Sequence, residues 1–363
     1  TGIVPTHDGV VRMNRLAATP GTGTSFIQSY EYWSYQPGRS QRIDTTGRFG
    51  SPVAGAPMDF GYFDDENGVF YRQNGVNGVQ FVVRSKTSGS VVNNAVNQAD
   101  WNLDKLDGSG DPLTNPSGIL HDTTKFFLMT IDLEFMGTGR VRCGFNINGL
   151  VVYVHQFLHA NFLSVPYMAT ATLPLQLLLT ATATAATAEV FFKGAIIQSE
   201  GGVLKGLGFT FSSPERTVTA ANGARTHLLT VRPKTTFNGL PNRQSYVTRT
   251  LELIVTTTNN IYWEIVAGAN FSVAPTWSDV DSQYSGTEIS NGGTFSNLTG
   301  GTVLLSGYIS ADKRSNSIPL DLHHPLTLNR AGVNTPIGSL SILVRGIGSN
   351  AATRGALTFT ELR

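Results

Sequence analysis

Apolar and polar residues alternate with a period of two along most of the chain, and helical periodicity is scarce. Residues 245–257 show it clearly: Val247, Leu251, Leu253 and Val255 fall opposite Tyr246, Thr248, Thr250 and Glu252. Such a period places one set on each face of a pleated strand. Asn-Gly tolerates positive φ at both centres of a type I′ turn, and seven Asn-Gly pairs punctuate the sequence. Phe145-Asn146-Ile147, then Asn148-Gly149, then Leu150 to Val154, predicts an antiparallel hairpin. Further strands are predicted over 68–73, 78–85, 124–135, 139–146, 150–159, 173–180 and 188–198. After a break at Glu200-Gly201-Gly202 come 206–212, 225–232, 245–257, 260–267, 301–310 and 337–347. One short helix is predicted over 93–106.

Strands at this spacing without helices between them predict an all-β chain of two antiparallel β-sandwich domains, jelly-roll-like. The boundaries are an extended N-terminal arm over 1–34, a first concanavalin- or jelly-roll-like sandwich over 35–200 and a second sandwich over 201–363. The arm is expected because Thr19-Pro20-Gly21-Thr22-Gly23-Thr24 suits neither a helix nor a strand interior. It is read as ordering against another subunit.

Composition sharpens this. Of 363 residues, 40% are hydrophobic and 14% charged, with 39 glycines and a formal net charge of +1. That is enough apolar material for a large core, and too little basic excess for a general nucleic-acid binder. The stretch 173–192 is the most apolar, yet Gln176, Glu189 and repeated Thr argue against a membrane-spanning helix. Cys143 is the sole cysteine, which excludes an intrachain disulfide and a cysteine-based metal centre. No nucleic-acid or membrane partner is expected.

Candidate chemistry is sparse. Asp107, Ser109 and Asp111 alternate in a Gly-rich loop, a candidate calcium site that lacks a distal bidentate acid. Asp64-Asp65-Glu66-Asn67 reads as a hairpin turn. His155 and His159 lie on one face of a strand but roughly 13 Å apart, too far for one zinc ion. Asp132 and Glu134 share a strand face that could line a sugar cleft. Arg140 and Arg142 on the next strand are placed to pair with them, and a cross-strand ion lattice is the simpler account. No nucleophile elbow occurs, and no catalytic residue is assigned. Tyr30, Tyr32, Trp33 and Tyr35 form a candidate interface cluster. Trp101, Trp263 and Trp277 are candidate platforms for stacking a sugar ring.

Several segments resemble a β-rich module of structural proteins of tailed bacteriophages. They are Tyr35-Gln36-Pro37-Gly38-Arg39-Ser40-Gln41, residues 61–70, Val83-Arg84-Ser85, Gln98-Ala99-Asp100-Trp101-Asn102, Leu106-Asp107-Gly108, Ile131-Asp132-Leu133-Glu134, Gly139-Arg140-Val141-Arg142 and residues 155–161. Cys143, and the apolar character of 155–161, depart from the pattern. The resemblance spans roughly residues 35–200. Residues 200–202 and 300–308 resemble a less constrained tail of the same proteins.

The resemblance implies a non-enzymatic structural protein located in a virion: a capsid-surface, vertex or fibre component. It would assemble as a homotrimer through its sandwiches and contact other virion proteins through the arm. The alternatives are a tail adhesin binding a host surface glycan, or a double-jelly-roll major capsid protein. No cofactor beyond the candidate calcium is expected.

Overall fold

The structure is a computed structural model that describes residues 2–5, 10–15, 21–29, 31–184, 187–201, 206–212, 218–220, 222–291, 299–311, 315–323 and 338–362. The chain divides into two compact units. The first comprises Thr1–Ser29 and Tyr35–Val203, the second Tyr30–Ser34 and Leu204–Arg363. Both are built from antiparallel sheets, as the two-residue period predicts.

The strands of the first unit are β1 (Gly2–Pro5), β2 (Val11–Arg15), β3 (Gly21–Gln28), β4 (Ser40–Phe49), β5 (Met58–Phe63), β6 (Gly68–Gln73), β7 (Val79–Ser85), β8 (Val92–Asn97), β9 (Phe127–Glu134), β10 (Val141–Ile147), β11 (Leu150–Phe157), β12 (Leu175–Thr184) and β13 (Ala188–Ser199). A seven-stranded sheet has the order β1-β2-β13-β4-β9-β10-β11, and a six-stranded sheet β3-β12-β5-β6-β7-β8. The predicted hairpin is β10–β11. Asn148 at φ 53° and Gly149 at φ 86° form its tip, as a type I′ turn requires.

Two expectations are corrected. Gly21–Gln28 is a full strand, registered on β12 from Gln28 opposite Gln176 to Gly21 opposite Thr184. Val11–Arg15 pairs with β13. The N-terminal segment is therefore sheet rather than a free arm. Its glycines weaken the strand preference that its threonines carry, but the neighbouring backbones supply the hydrogen bonds, and tertiary context overrides weak propensity. The helix predicted over 93–106 is instead edge strand β8 followed by a single 3₁₀ turn at Gln98–Asp100. Asn93 and Asn94 disfavour a helix interior, and Val92 and Val96 suit a strand.

The core of the first unit is aromatic. Phe49, Phe60, Tyr71, Phe81 and Phe145 are buried, and their rings meet at tilted or edge-on angles. Phe49 and Tyr71 lie 5.3 Å apart, as do Tyr71 and Phe145. These are separations at which edge-to-face packing adds to area burial. On β4 alternate residues point inward: Gln41, Ile43, Thr45, Gly47 and Phe49 are buried, and Ser40, Arg42, Asp44, Thr46 and Arg48 are half-buried outside. On β9, Met129, Ile131 and Leu133 point inward, against Asp132 and Glu134. The seven-stranded sheet thus turns a charged row outward. The six-stranded sheet carries a sealed ion pair, in which Arg72 donates to both oxygens of Asp59 at 2.6 and 2.7 Å.

In the second unit, Ala351–Leu362 lies between Leu207–Ser212 and Ser245–Val255, and Ser315–His323 adds to the far side of Ser245–Val255. The other sheet runs Ser278–Asp279, Thr287–Ser290, Thr226–Pro233, Leu340–Gly346, Ile261–Ala267, Thr302–Ile309. Its core is largely aliphatic, with Leu229, Leu251, Leu253, Ile261, Ile265, Ile342 and Leu357.

Candidate functional site

The outward row of the seven-stranded sheet is set by register. Arg42 on β4 lies opposite Asp132 on β9, and Asp132 opposite Arg142 on β10. Gln198 on β13 lies opposite Arg42 on its other side. One step along, Asp44 lies opposite Thr130. Two residues along a strand return to the same face, so alternation in sequence becomes a lattice in space.

Hydrogen bonds tie each acid of the row to an arginine. Arg142 donates through Nε (2.9 Å) and a terminal nitrogen to one oxygen of Asp132. Its guanidinium lies 4.3 Å from the centre of the Tyr153 ring. Arg140 donates to Glu134 at 2.8 Å. The Arg42 Nε donates to both oxygens of Asp44, at 3.2 and 2.9 Å, and Thr130 adds a hydroxyl bond of 2.6 Å. The expected pairing of Arg140 and Arg142 with the two acids is what the structure contains. Burial, with Asp132 alongside, raises the Tyr153 phenol above its ordinary pKa, so it stays a hydroxyl.

Over this row lies an open cleft of about 670 Å³ lined by Ser40, Arg42, Asp132, Tyr153, Gln198, Ser199 and Glu200. Its lining mixes cationic and hydroxyl donors with carboxylate acceptors. A second cleft of about 470 Å³ has a more apolar lining that includes Val92, Phe157, Leu163, Val165 and Tyr167. His159 also lines it, held by the Gly139 carbonyl at 2.7 Å and stacked on Tyr167.

The residues singled out in the sequence fall elsewhere. Trp101 is buried against Phe81 and Phe145, and Trp263 is buried in the core of the second unit, so neither is a sugar platform. Trp101 closes the 3₁₀ turn at Gln98–Asp100, and Trp263 is an inward residue of Ile261–Ala267. Trp277 is half-buried, with the Arg232 guanidinium 3.9 Å from the centre of its ring. Tyr30 lies outside the described residues, and Tyr32 is buried. Trp33 is half-buried. Tyr35 packs edge-on to Phe135, and its hydroxyl accepts the Met136 N–H at 3.1 Å. The described members therefore form no exposed aromatic cluster.

Asp107, Ser109 and Asp111 accept backbone N–H groups from Ser109, Asp111 and Leu113, tying the loop to itself. Among the described residues no three His, Cys, Asp or Glu side chains are grouped to hold a metal ion. Asp64 does serve its hairpin turn, accepting the Glu66 and Asn67 N–H groups, both at 2.8 Å. His155 lies in β11 and accepts the Asn102 N–H on Nδ1. Burial lowers its pKa to about 4.

Arg42, Tyr153, Gln198 and Glu200 were not legible as site residues. Within β4 only Ile43 and Phe49 are strongly apolar, so the alternation that places Arg42 outside is faint in sequence. Gln198 and Glu200 join the row only through the β13–β4 pairing.

No family model and no curated protein matches the chain. Solved structures similar to it include an endo-β-1,4-glucuronan lyase from Trichoderma reesei, at 12% identity and a TM-score of 0.33, covering 54% of this chain and 83% of that one. A β-1,3-glucanase from Mycobacterium marinum aligns at 12% identity and a TM-score of 0.33, covering 53% and 75%. The family 7 alginate lyase A1-II′ aligns at 13% and 0.29, covering 54% and 82%. These are polysaccharide-degrading enzymes. The expectations of a virion, capsid, fibre or adhesin protein of a bacteriophage, and of a chain without enzymatic activity, are corrected by this finding. At such identities and TM-scores the likeness assigns no chemistry to this chain.

Proposed function

We propose that the outer face of the seven-stranded sheet binds a polysaccharide. The observation that carries this is the cleft of about 670 Å³, in which the donors Arg42, Gln198 and Tyr153 stand beside the acceptors Asp132 and Glu200. A sugar hydroxyl both donates and accepts, so a lining of alternating polarity suits a chain of hydroxyls. Strands hold these side chains on a rigid backbone, and Arg142 fixes Asp132 in place, so little rotamer freedom is lost on binding. The reading rests on these residues and on no solved relative.

The test is affinity electrophoresis of the full chain through gels carrying a panel of polysaccharides. Retardation by at least one, and its loss in Asp132→Asn, is expected. No retardation by any member overturns the reading.

A second reading, chain cleavage, is favoured by one observation. Asp132 and Glu134 sit two residues apart on one face of β9, roughly 7 Å along the strand. Two carboxyls facing the same side of a sheet are the kind of pair that glycoside hydrolysis uses as acid and base. Incubating the retained polysaccharide with the protein and assaying new reducing ends tests it. Release that Glu134→Gln abolishes is expected, and no release overturns it.

A further inference from the structure

We infer that this cleft accepts uncharged polysaccharide chains and turns away anionic ones, with Glu200 setting the discrimination; this rests on the binding reading above. Three charged side chains line the cleft: Arg42, Asp132 and Glu200. Two of them are already met within the lattice. Arg42 is held by Asp44 at 2.9 Å, and Asp132 by Arg142. Glu200 differs. Among the described residues it forms no ion pair, and its carboxylate takes only the Ser40 N–H, at a long 3.4 Å. Arg39 nearby donates instead to the Glu200 backbone carbonyl, at 2.7 Å.

The consequence is electrostatic. Among the described residues that line the cleft stand two carboxylates and one guanidinium, so an incoming carboxylate meets a net negative lining. At separations of a few ångström in a partly wet cleft, such a like-charge contact costs about tenfold in affinity. A neutral chain meets no such penalty. Its hydroxyls can donate to Glu200 and accept from the Arg42 terminal nitrogens, which among the described residues have no hydrogen-bond partner beyond the Nε contacts. The side-chain exposure of Arg42, 40%, leaves those nitrogens within reach.

The experiment pairs each neutral polysaccharide of the panel with its carboxylated counterpart of the same linkage, and measures both against wild type and Glu200→Gln. The wild type is expected to hold the neutral member about tenfold more tightly than its carboxylated partner at low salt. Glu200→Gln is expected to narrow that ratio to about twofold, and added salt to narrow it in the wild type. Unchanged thermal unfolding of Glu200→Gln confirms that the fold is intact. Equal or tighter wild-type binding of the carboxylated member, or a ratio indifferent to Glu200→Gln, overturns the inference and leaves the binding reading standing. If no member binds, the binding reading itself has failed.

Discussion

Carboxyl groups on the outer sheet face of the first unit and inside the second are used in opposite ways. In the first, Asp44 and Asp132 stand on the outer face of a sheet, 13% and 14% exposed at the side chain, each held by an arginine at the edge of a cleft. In the second, Glu361 is wholly buried and accepts hydroxyls from Ser285 (2.5 Å) and Thr287 (2.6 Å). The Gly286 N–H adds a longer bond of 3.3 Å. The surroundings follow suit: the first unit packs aromatic rings, the second mainly Leu, Ile and Val. The same chemical group therefore stands beside an open cleft in one place and closes a buried hydrogen-bond network in the other. The difference lies in the cost of stranding partners, which is high inside and low on a wet face.

The sharpest way to break this comparison is to remove the sealed group. Glu361→Ala strands two hydroxyls and an amide, and should destabilise the second unit by about 4 kcal/mol. Denaturant unfolding in a Trp101→Phe background reads that unit alone, because Trp33, Trp263 and Trp277 all belong to it. A loss under about 1 kcal/mol would place Glu361 with the surface acids.

Next comes the first unit's own sealed pair. Asp59 is 3% exposed and Arg72 17%, so Asp59→Ala leaves a guanidinium mostly buried without its carboxylate. A loss of about 3 kcal/mol is expected, read by amide hydrogen exchange across β5 and β6.

A smaller effect is set by pH. Burial pushes the His121 pKa down to about 4, while its Nε2 lies 3.0 Å from the Tyr71 hydroxyl. The fold therefore favours the neutral imidazole. That contribution is complete above about pH 6.5 and is lost as pH falls toward 4, up to about 3 kcal/mol before allowing for partial exposure. His155 acts in the same direction. Thermal melts between pH 7 and 4 should show the first unit weakening, and His121→Phe should flatten the slope.

The smallest stability effect falls on the lattice. Arg142→Gln breaks a pair in which the arginine side chain is 30% and the aspartate 14% exposed, and should cost about 1 kcal/mol. Polysaccharide retardation should nonetheless fall at least tenfold, since Asp132 loses its anchor. A variant that unfolds the unit instead would make the lattice structural.

Much of the strand framework was legible because burial imposes a period. Gly68–Gln73 is a strand over the residues predicted, and the hairpin tip at Asn148-Gly149 follows from the positive φ that this pair tolerates. The pairing of Arg142 with Asp132 was legible as well, because neighbouring strands joined by a short turn have few registers open to them. The N-terminal strands were not. Gly21–Gln28 is chosen by β12, more than a hundred residues away, through backbone bonds that leave no side-chain signature. The tryptophans misled for a related reason: a large ring in a β chain looks alike in sequence whether it faces the core or the solvent.

The sequence by itself determined an all-β chain of antiparallel strands, since turn chemistry and two-residue periodicity are local properties of φ, ψ and side-chain burial. Only the tertiary structure decided which strands are neighbours, and with that the meeting of Arg42, Asp132, Tyr153, Gln198 and Glu200 over one cleft. Those residues come from four strands and the end of one of them. Their proximity is a matter of sheet order, which long-range backbone pairing and core packing set together.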